Sequence, residues 1–386
     1  MPARRVAQPA PTAQPAQLPG AAPAPAARSN AQQQSRLAQP NLGDRLRGAA
    51  QTGGEVLQRV MGQGRGDIKR DGTLTDPKSR GAVPLDKALA EAKAQGLRFG
   101  DWLMERYAFG PKSETAPGDQ TLRIFSPGLN TPEPEASRRT AYYAQTLGQP
   151  MVHLHNGTNA DAGFQGADSI DYAAALAVRG GLKSTALLGS LVTILKSALT
   201  GAEPQDVHAI LYSDSTIAGS RAIAIVRKQM IDTRVRAGKA ADQAEAEVDR
   251  LLAKHLFVEM HGNVAADLPK GPRYVMWADE ADTITHGRPH PRLPEMGFSG
   301  RHRDSDANAL YIDYDGPFGG ADAHNLGSNG VHAVRQTWAA NGVSSSQNLF
   351  DKHSRGERIA VPSTITGDAS RLWNPRNDPN WGKQKK

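Results

Sequence analysis

The 386-residue chain contains no cysteine. That excludes disulfides, a thiolate nucleophile and cysteine metal sites, and leaves the compartment open. Aromatic residues make up 5% of the chain, and none precedes Phe99. No apolar run approaches the ~18 residues that a spanning helix needs. Acidic residues are missing from the first 40 positions, which hold four arginines, 12 alanines, 8 prolines and 7 glutamines. Such a segment buries too little apolar surface to offset the entropy of ordering it, so residues 1–65 are expected to be disordered. Its prolines and glutamines interrupt the apolar core of a secretory signal and the amphipathic helix of an organelle transit peptide.

What charge there is sits unevenly. The net charge is +7, yet residues 41–345 carry 34 basic against 35 acidic side chains. Residues 346–386 hold eight basic and four acidic ones. The basicity belongs to the ends, and a neutral body lacks the basic face of a nucleic-acid enzyme, so no nucleic-acid partner is expected. The glycine-rich stretches have neither the dinucleotide nor the P-loop spacing, so no cofactor is expected. His286 and His290, with His302 beyond, are four residues apart across Gly287 and Pro289 and so do not form a helical His-x-x-x-His, and they have no third ligand at a telling distance. No metal is assigned to them.

Along the body, apolar runs of strand length alternate with helical periodicity. Leu122–Thr131, Pro150–Asn156, Val207–Tyr212, Leu256–Asn263, Arg273–Trp277 and Ala309–Asp313 read as strands. Between them, Glu133–Leu147, Asp168–Arg179, Ala240–Lys254 and Asn329–Ala340 read as helices. Leu187, Leu188, Leu191, Val192, Leu195 and Leu199 form an apolar stripe, with Lys183, Ser190 and Lys196 off it. That stripe suits a crossover helix packed on a sheet. The pattern predicts an α/β fold with a mainly parallel, doubly wound sheet covered on both faces. The organisation expected is a disordered segment over 1–65, a helical extension over 66–117, the α/β domain over 118–345 and a basic, irregular tail over 346–386.

Within it, Val207–Tyr212 runs into Ser213-Asp214-Ser215 and then the helix Thr216–Lys228. Strand, sharp turn and helix are the mechanical parts of a nucleophile elbow, with Leu-Tyr-Ser-Asp-Ser in place of Gly-x-Ser-x-Gly. The elbow puts Ser213 at the apex and makes the Asp214 N–H an oxyanion donor. Ser213 as a helix-capping turn serine and Ser215 as the nucleophile are the competing readings. Upstream, the strand Leu122–Ser126 ends in Pro127-Gly128-Leu129-Asn130, where the Leu129 N–H is placed as a second oxyanion donor.

With these parts in this order, the stretch from about Thr121 to Trp338 resembles lipase-like serine hydrolases of the α/β-hydrolase superfamily. The resemblance implies an acid in the loop after a late strand and a histidine after the last one. Asp282, after Arg273–Trp277, fits the acid, with Asp279 the alternative. His324, in the glycine-rich loop after Ala309–Asp313, fits the base, with His332 the alternative. The implied activity is hydrolysis of an acyl ester, of lipid or other hydrophobic type, without metal or cofactor. The alternative is a decayed hydrolase fold that serves as a protein- or ligand-binding module, because Leu211 crowds the strand–helix crossing. The Pro/Ala/Gln-rich start resembles the leaders of bacterial effectors exported by type III secretion into a host cell; otherwise a cytoplasmic location is expected. Peripheral membrane contact and oligomeric state stay open.

Overall fold

The computed structural model describes residues 70–110, 119–128, 131–157, 185–265, 267–279, 282, 308–314, 345–357 and 371–373. Its centre is an eight-stranded sheet. A two-stranded hairpin, β1 (Leu74–Thr75) and β2 (Ala82–Val83), precedes it. Helices α1 (Leu85–Ala94) and α2 (Phe99–Tyr107) lead into β3 (Ala108–Phe109). Next come β4 (Leu122–Ser126), α3 (Glu133–Leu147), β5 (Met151–His153) and α4 (Ala186–Leu199). The second half runs β6 (Val207–Tyr212), α5 (Ser215–Arg236), α6 (Ala241–His255), β7 (Leu256–His261) and β8 (Arg273–Asp279). It continues with β9 (Asn308–Tyr314), α7 (Ser346–Ser354) and β10 (Arg371–Trp373).

The strand order is β10-β9-β8-β7-β6-β4-β5-β3. The six strands from β9 to β5 are parallel, and antiparallel β10 and β3 close the edges. Two segments do more than the sequence suggests. The extension over 66–117 adds an edge strand to the sheet as well as its helices, and the tail contributes α7 and β10. Both edge strands are two or three residues long, too short for any periodicity to show.

Period-2 alternation decides which face each strand residue serves. Leu122, Ile124, Val207, Ala209, Leu211, Val258 and Met260 point into one core, shared with the apolar sides of α4, α5 and α6. Phe125, Ile210 and Tyr212 point the other way, against Tyr143 and Ala144 of α3. On that second face α7 covers β7 and β8, with Phe350 edge-on to Phe257 and Asp351 bonded to Arg273. Helices on both faces and strands buried throughout are what near-continuous apolar runs require. Ser190, expected off the apolar face of α4, is buried instead, and its hydroxyl donates to the Gly72 carbonyl at 2.7 Å.

The order in which strands are added reverses in the middle of this sheet. From β4 the chain steps outward to β5 over α3, whereas from β6 it steps the opposite way to β7 over α5 and α6. Right-handed crossovers in opposite directions put those helices on opposite faces and make the carboxyl ends of β4 and β6 a switch point, where open α/β sheets place a ligand crevice.

Candidate functional site

Ser213 sits at that crevice, in the first position past β6, with φ of +54°. A left-handed L-residue costs about 1–2 kcal/mol and persists only where its surroundings over-determine it. Here strand β7 and helix α5 do so. The Ser213 N–H donates to the His261 carbonyl of β7 at 2.9 Å. Its own carbonyl accepts from the Thr216 N–H at 3.0 Å and from the Thr216 hydroxyl at 2.5 Å. Thr216 in turn accepts the Val264 N–H at 3.1 Å, which ties the elbow to the loop after β7.

Ser215 has a different role. It is fully buried, accepts the Tyr212 N–H at 2.8 Å, and has its hydroxyl 2.9 Å from the carbonyls of both Ser126 and Tyr212. That oxygen is a strap between β4 and β6, with no free direction for attack on a substrate.

The opposite wall is the turn after β4. A Cβ on Gly128 would lie 2.6 Å from the Ser213 Cβ and 2.9 Å from the Tyr212 ring. Only glycine lets this backbone come so close to the elbow. Asn156, fully buried past β5, donates from Nδ2 to the Pro127 carbonyl at 3.1 Å and to the Asp214 carboxylate at 2.8 Å. One amide thus holds the β4 turn and the elbow together. It also engages one oxygen of the Asp214 carboxylate.

The strand–helix crossing at Leu211 is relieved from the helix side. A Cβ on Gly219 would overlap the Leu211 Cδ1, so the glycine of α5 makes the room that a glycine on the strand would otherwise make. Small-against-large is preserved with its partners exchanged.

Beneath the crevice, on the α3 face, lies a polar cluster that sequence reasoning missed. Glu259 is fully buried in β7. Its carboxylate is 2.7 Å from His261 Nε2 and 3.2 Å from His208 Nε2. His261 stacks on Trp277 with the rings 5° from parallel, and the Tyr143 ring meets it edge-on. Burial pushes the His261 imidazole down to about 3, which keeps it neutral near pH 7. The same His261 supplies the carbonyl that holds Ser213.

Of the expected acids, Asp282 is buried and engaged three residues past β8, and Asp279 ends β8. Strands β8 and β9 are parallel neighbours, and β8 lies two strands from β6. At about 4.8 Å per strand that is a lateral span of roughly 10 Å, enough for an imidazole and its two hydrogen bonds. His324, His332 and the oxyanion donor Leu129 lie outside the described residues, as do His286, His290 and His302. Among the described residues no cluster of histidines and carboxylates is placed to hold a metal, and no helix is long and apolar enough to cross a membrane. No protein-family profile and no curated protein matches the chain.

Proposed function

We propose that the chain is a serine hydrolase of the α/β-hydrolase kind, cleaving an acyl ester of lipid or hydrophobic type. The observation that carries this is Ser213, an L-residue held left-handed at the switch point of a parallel sheet, with the Gly128 backbone pressed against it. A ligand crevice at such a point is general to open α/β sheets, and a strained serine there is the mark of an elbow. In the mechanism Ser213 Oγ attacks the ester carbonyl as His324 takes its proton, and Asp282 orients and stabilises the imidazolium. The N–H groups of Asp214 and Leu129 bind the oxyanion. Collapse expels the alcohol, protonated by His324, and a water activated by the same base then releases the acid. The composition of residues 1–40 supports delivery as a secreted bacterial effector.

A fluorophosphonate probe tests the reading. It should label Ser213 in the full chain, with labelling lost in Ser213→Ala and retained in Ser215→Ala if that variant stays folded. An unlabelled wild-type protein would leave the binding-module reading in its place.

A further inference from the structure

Beside the crevice, between the β1–β2 hairpin and the first turns of α3, lies a pocket of about 750 Å³ lined by Arg70, Arg80, Glu133, Pro134, Ser137 and Arg138. Its one carboxylate is already matched. Glu133 is buried, ion-paired with Arg70, and accepts the Thr75 hydroxyl at 3.1 Å. Neither Arg80 nor Arg138 has a carboxylate partner among the described residues; the Arg138 Nε donates only to the Pro134 carbonyl at 3.2 Å. The walls therefore present two guanidiniums without a carboxylate partner among the described residues, beside Arg70, which is paired with Glu133.

Arg80 is placed there at a cost. It occupies the hairpin turn with φ of +57°, a position where glycine is the relaxed choice. Its N–H donates to the Asp76 carbonyl at 2.8 Å, and the Asp76 carboxylate anchors the turn through the Lys78 N–H at 3.0 Å and the Ser79 hydroxyl at 2.8 Å. Its guanidinium lies over the Phe109 ring, 4.9 Å from the centroid. A guanidinium held over a ring can keep its in-plane N–H groups for an oxyanion, which it grips through two bonds at once.

The pocket joins the crevice through a short chain of contacts. Next to Arg70, the Asp71 carboxylate accepts the Gly157 N–H at 3.2 Å, and the adjoining Asn156 holds Asp214 and Pro127. Helix α3, which supplies Glu133 and Arg138, begins five residues after Gly128.

We infer that this pocket binds a phosphate group carried by the ester substrate, while the acyl carbonyl meets Ser213. A tetrahedral oxyanion of nearly two charges suits a pocket lined by two guanidiniums that lack a carboxylate partner among the described residues, and the pocket volume leaves room for what the phosphate is attached to. The assignment of that phosphate to the substrate rests on the hydrolase reading; the anion site does not.

The test separates them. Calorimetric titration of the full-length Ser213→Ala protein with glycerol 3-phosphate should show binding. Arg80→Gly, which removes the guanidinium at a φ that glycine accepts, and Arg138→Ala should each weaken it roughly tenfold or more. Hydrolysis of 1-acylglycerol 3-phosphate is then compared with that of the uncharged monoacylglycerol. The ratio of kcat/KM values should fall by about tenfold in each arginine variant, a change that a general loss of stability would not produce. Co-sedimentation with phosphatidic acid vesicles against phosphatidylcholine vesicles distinguishes a membrane source of the phosphate from a soluble one. If neither glycerol 3-phosphate nor phosphatidic acid vesicles bind, or binding ignores both arginines, the pocket is no phosphate site. Arginine-dependent binding with no hydrolysis of either ester keeps the site and removes the hydrolase reading. An unchanged ratio alongside arginine-dependent binding detaches the phosphate from the substrate.

Discussion

At Ser213 the backbone holds a conformation whose cost and use can be measured apart. Glycine relaxes a left-handed position by about 1–2 kcal/mol but gives back roughly 0.5–1 in the unfolded chain. Ser213→Gly should therefore unfold at a higher temperature, by about 0.5–1 kcal/mol of stability, while losing all reaction with the probe. A destabilised variant would mean that the side chain is structural. His261 yields a second prediction. Facing it are Glu259 and, through that carboxylate, His208, together with Tyr143 and Trp277. Its folded value of about 3 lies below the ordinary value of 6.5, so the unfolded chain binds the extra proton between those limits. Stability is then complete above about pH 6.5 and falls toward pH 3, by at most about 1.4 kcal/mol per pH unit for this group. Urea midpoints at pH 7 and pH 5 should show the loss. His261→Gln, which keeps a donor toward Glu259, should flatten it; an equal slope in the variant would mean that other groups carry the effect.

Among the elements, β6 and α5 carry the clearest packing prediction. Gly219→Ala forces a methyl into Leu211 and should cost about 1–3 kcal/mol, the usual penalty of overpacking. Leu211→Ala alone should cost about 2–5 kcal/mol by opening a cavity. The double variant should be milder than their sum, because each change makes room for the other. Strict additivity in denaturant titrations would contradict the exchange. The same pair shows how far a sequence can be read. Among the described residues the long strands and helices were legible, since runs such as Val207–Tyr212 and the leucine stripe of α4 declare their burial directly; the expected helices Asp168–Arg179 and Asn329–Ala340 lie outside the described residues. The sharp turn at Ser213 was legible as strand, turn and helix. What met Leu211 was not, because a glycine eight residues later shows no sign of which side chain it faces. Glu259 read as a strand position, and only pairing between β6 and β7 brings it to His208, 51 residues away. The arginine pocket was hidden for the same reason, since Arg70, Arg80 and Arg138 meet through tertiary packing rather than through any local pattern.

For the molecule as a whole, the sheet is finished from both directions of the chain. Strand β3, which precedes every parallel strand in the chain, caps β5, and β10 caps β9 far downstream. Deleting the segment that carries Arg371–Trp373 should leave β9 as a bare edge, with unpaired backbone groups that recruit other copies. Light scattering should show concentration-dependent aggregation of the truncated chain under conditions where the full chain stays monodisperse; a clear, monomeric truncation would show that β10 protects nothing. The order of closure also sets a clock. From the end of β9 at Tyr314 to the end of β10 at Trp373 the ribosome adds about 60 residues. At roughly 5–20 residues per second that is about 3 to 12 s during which the nascent sheet has one finished side and one open to any strand that reaches it first.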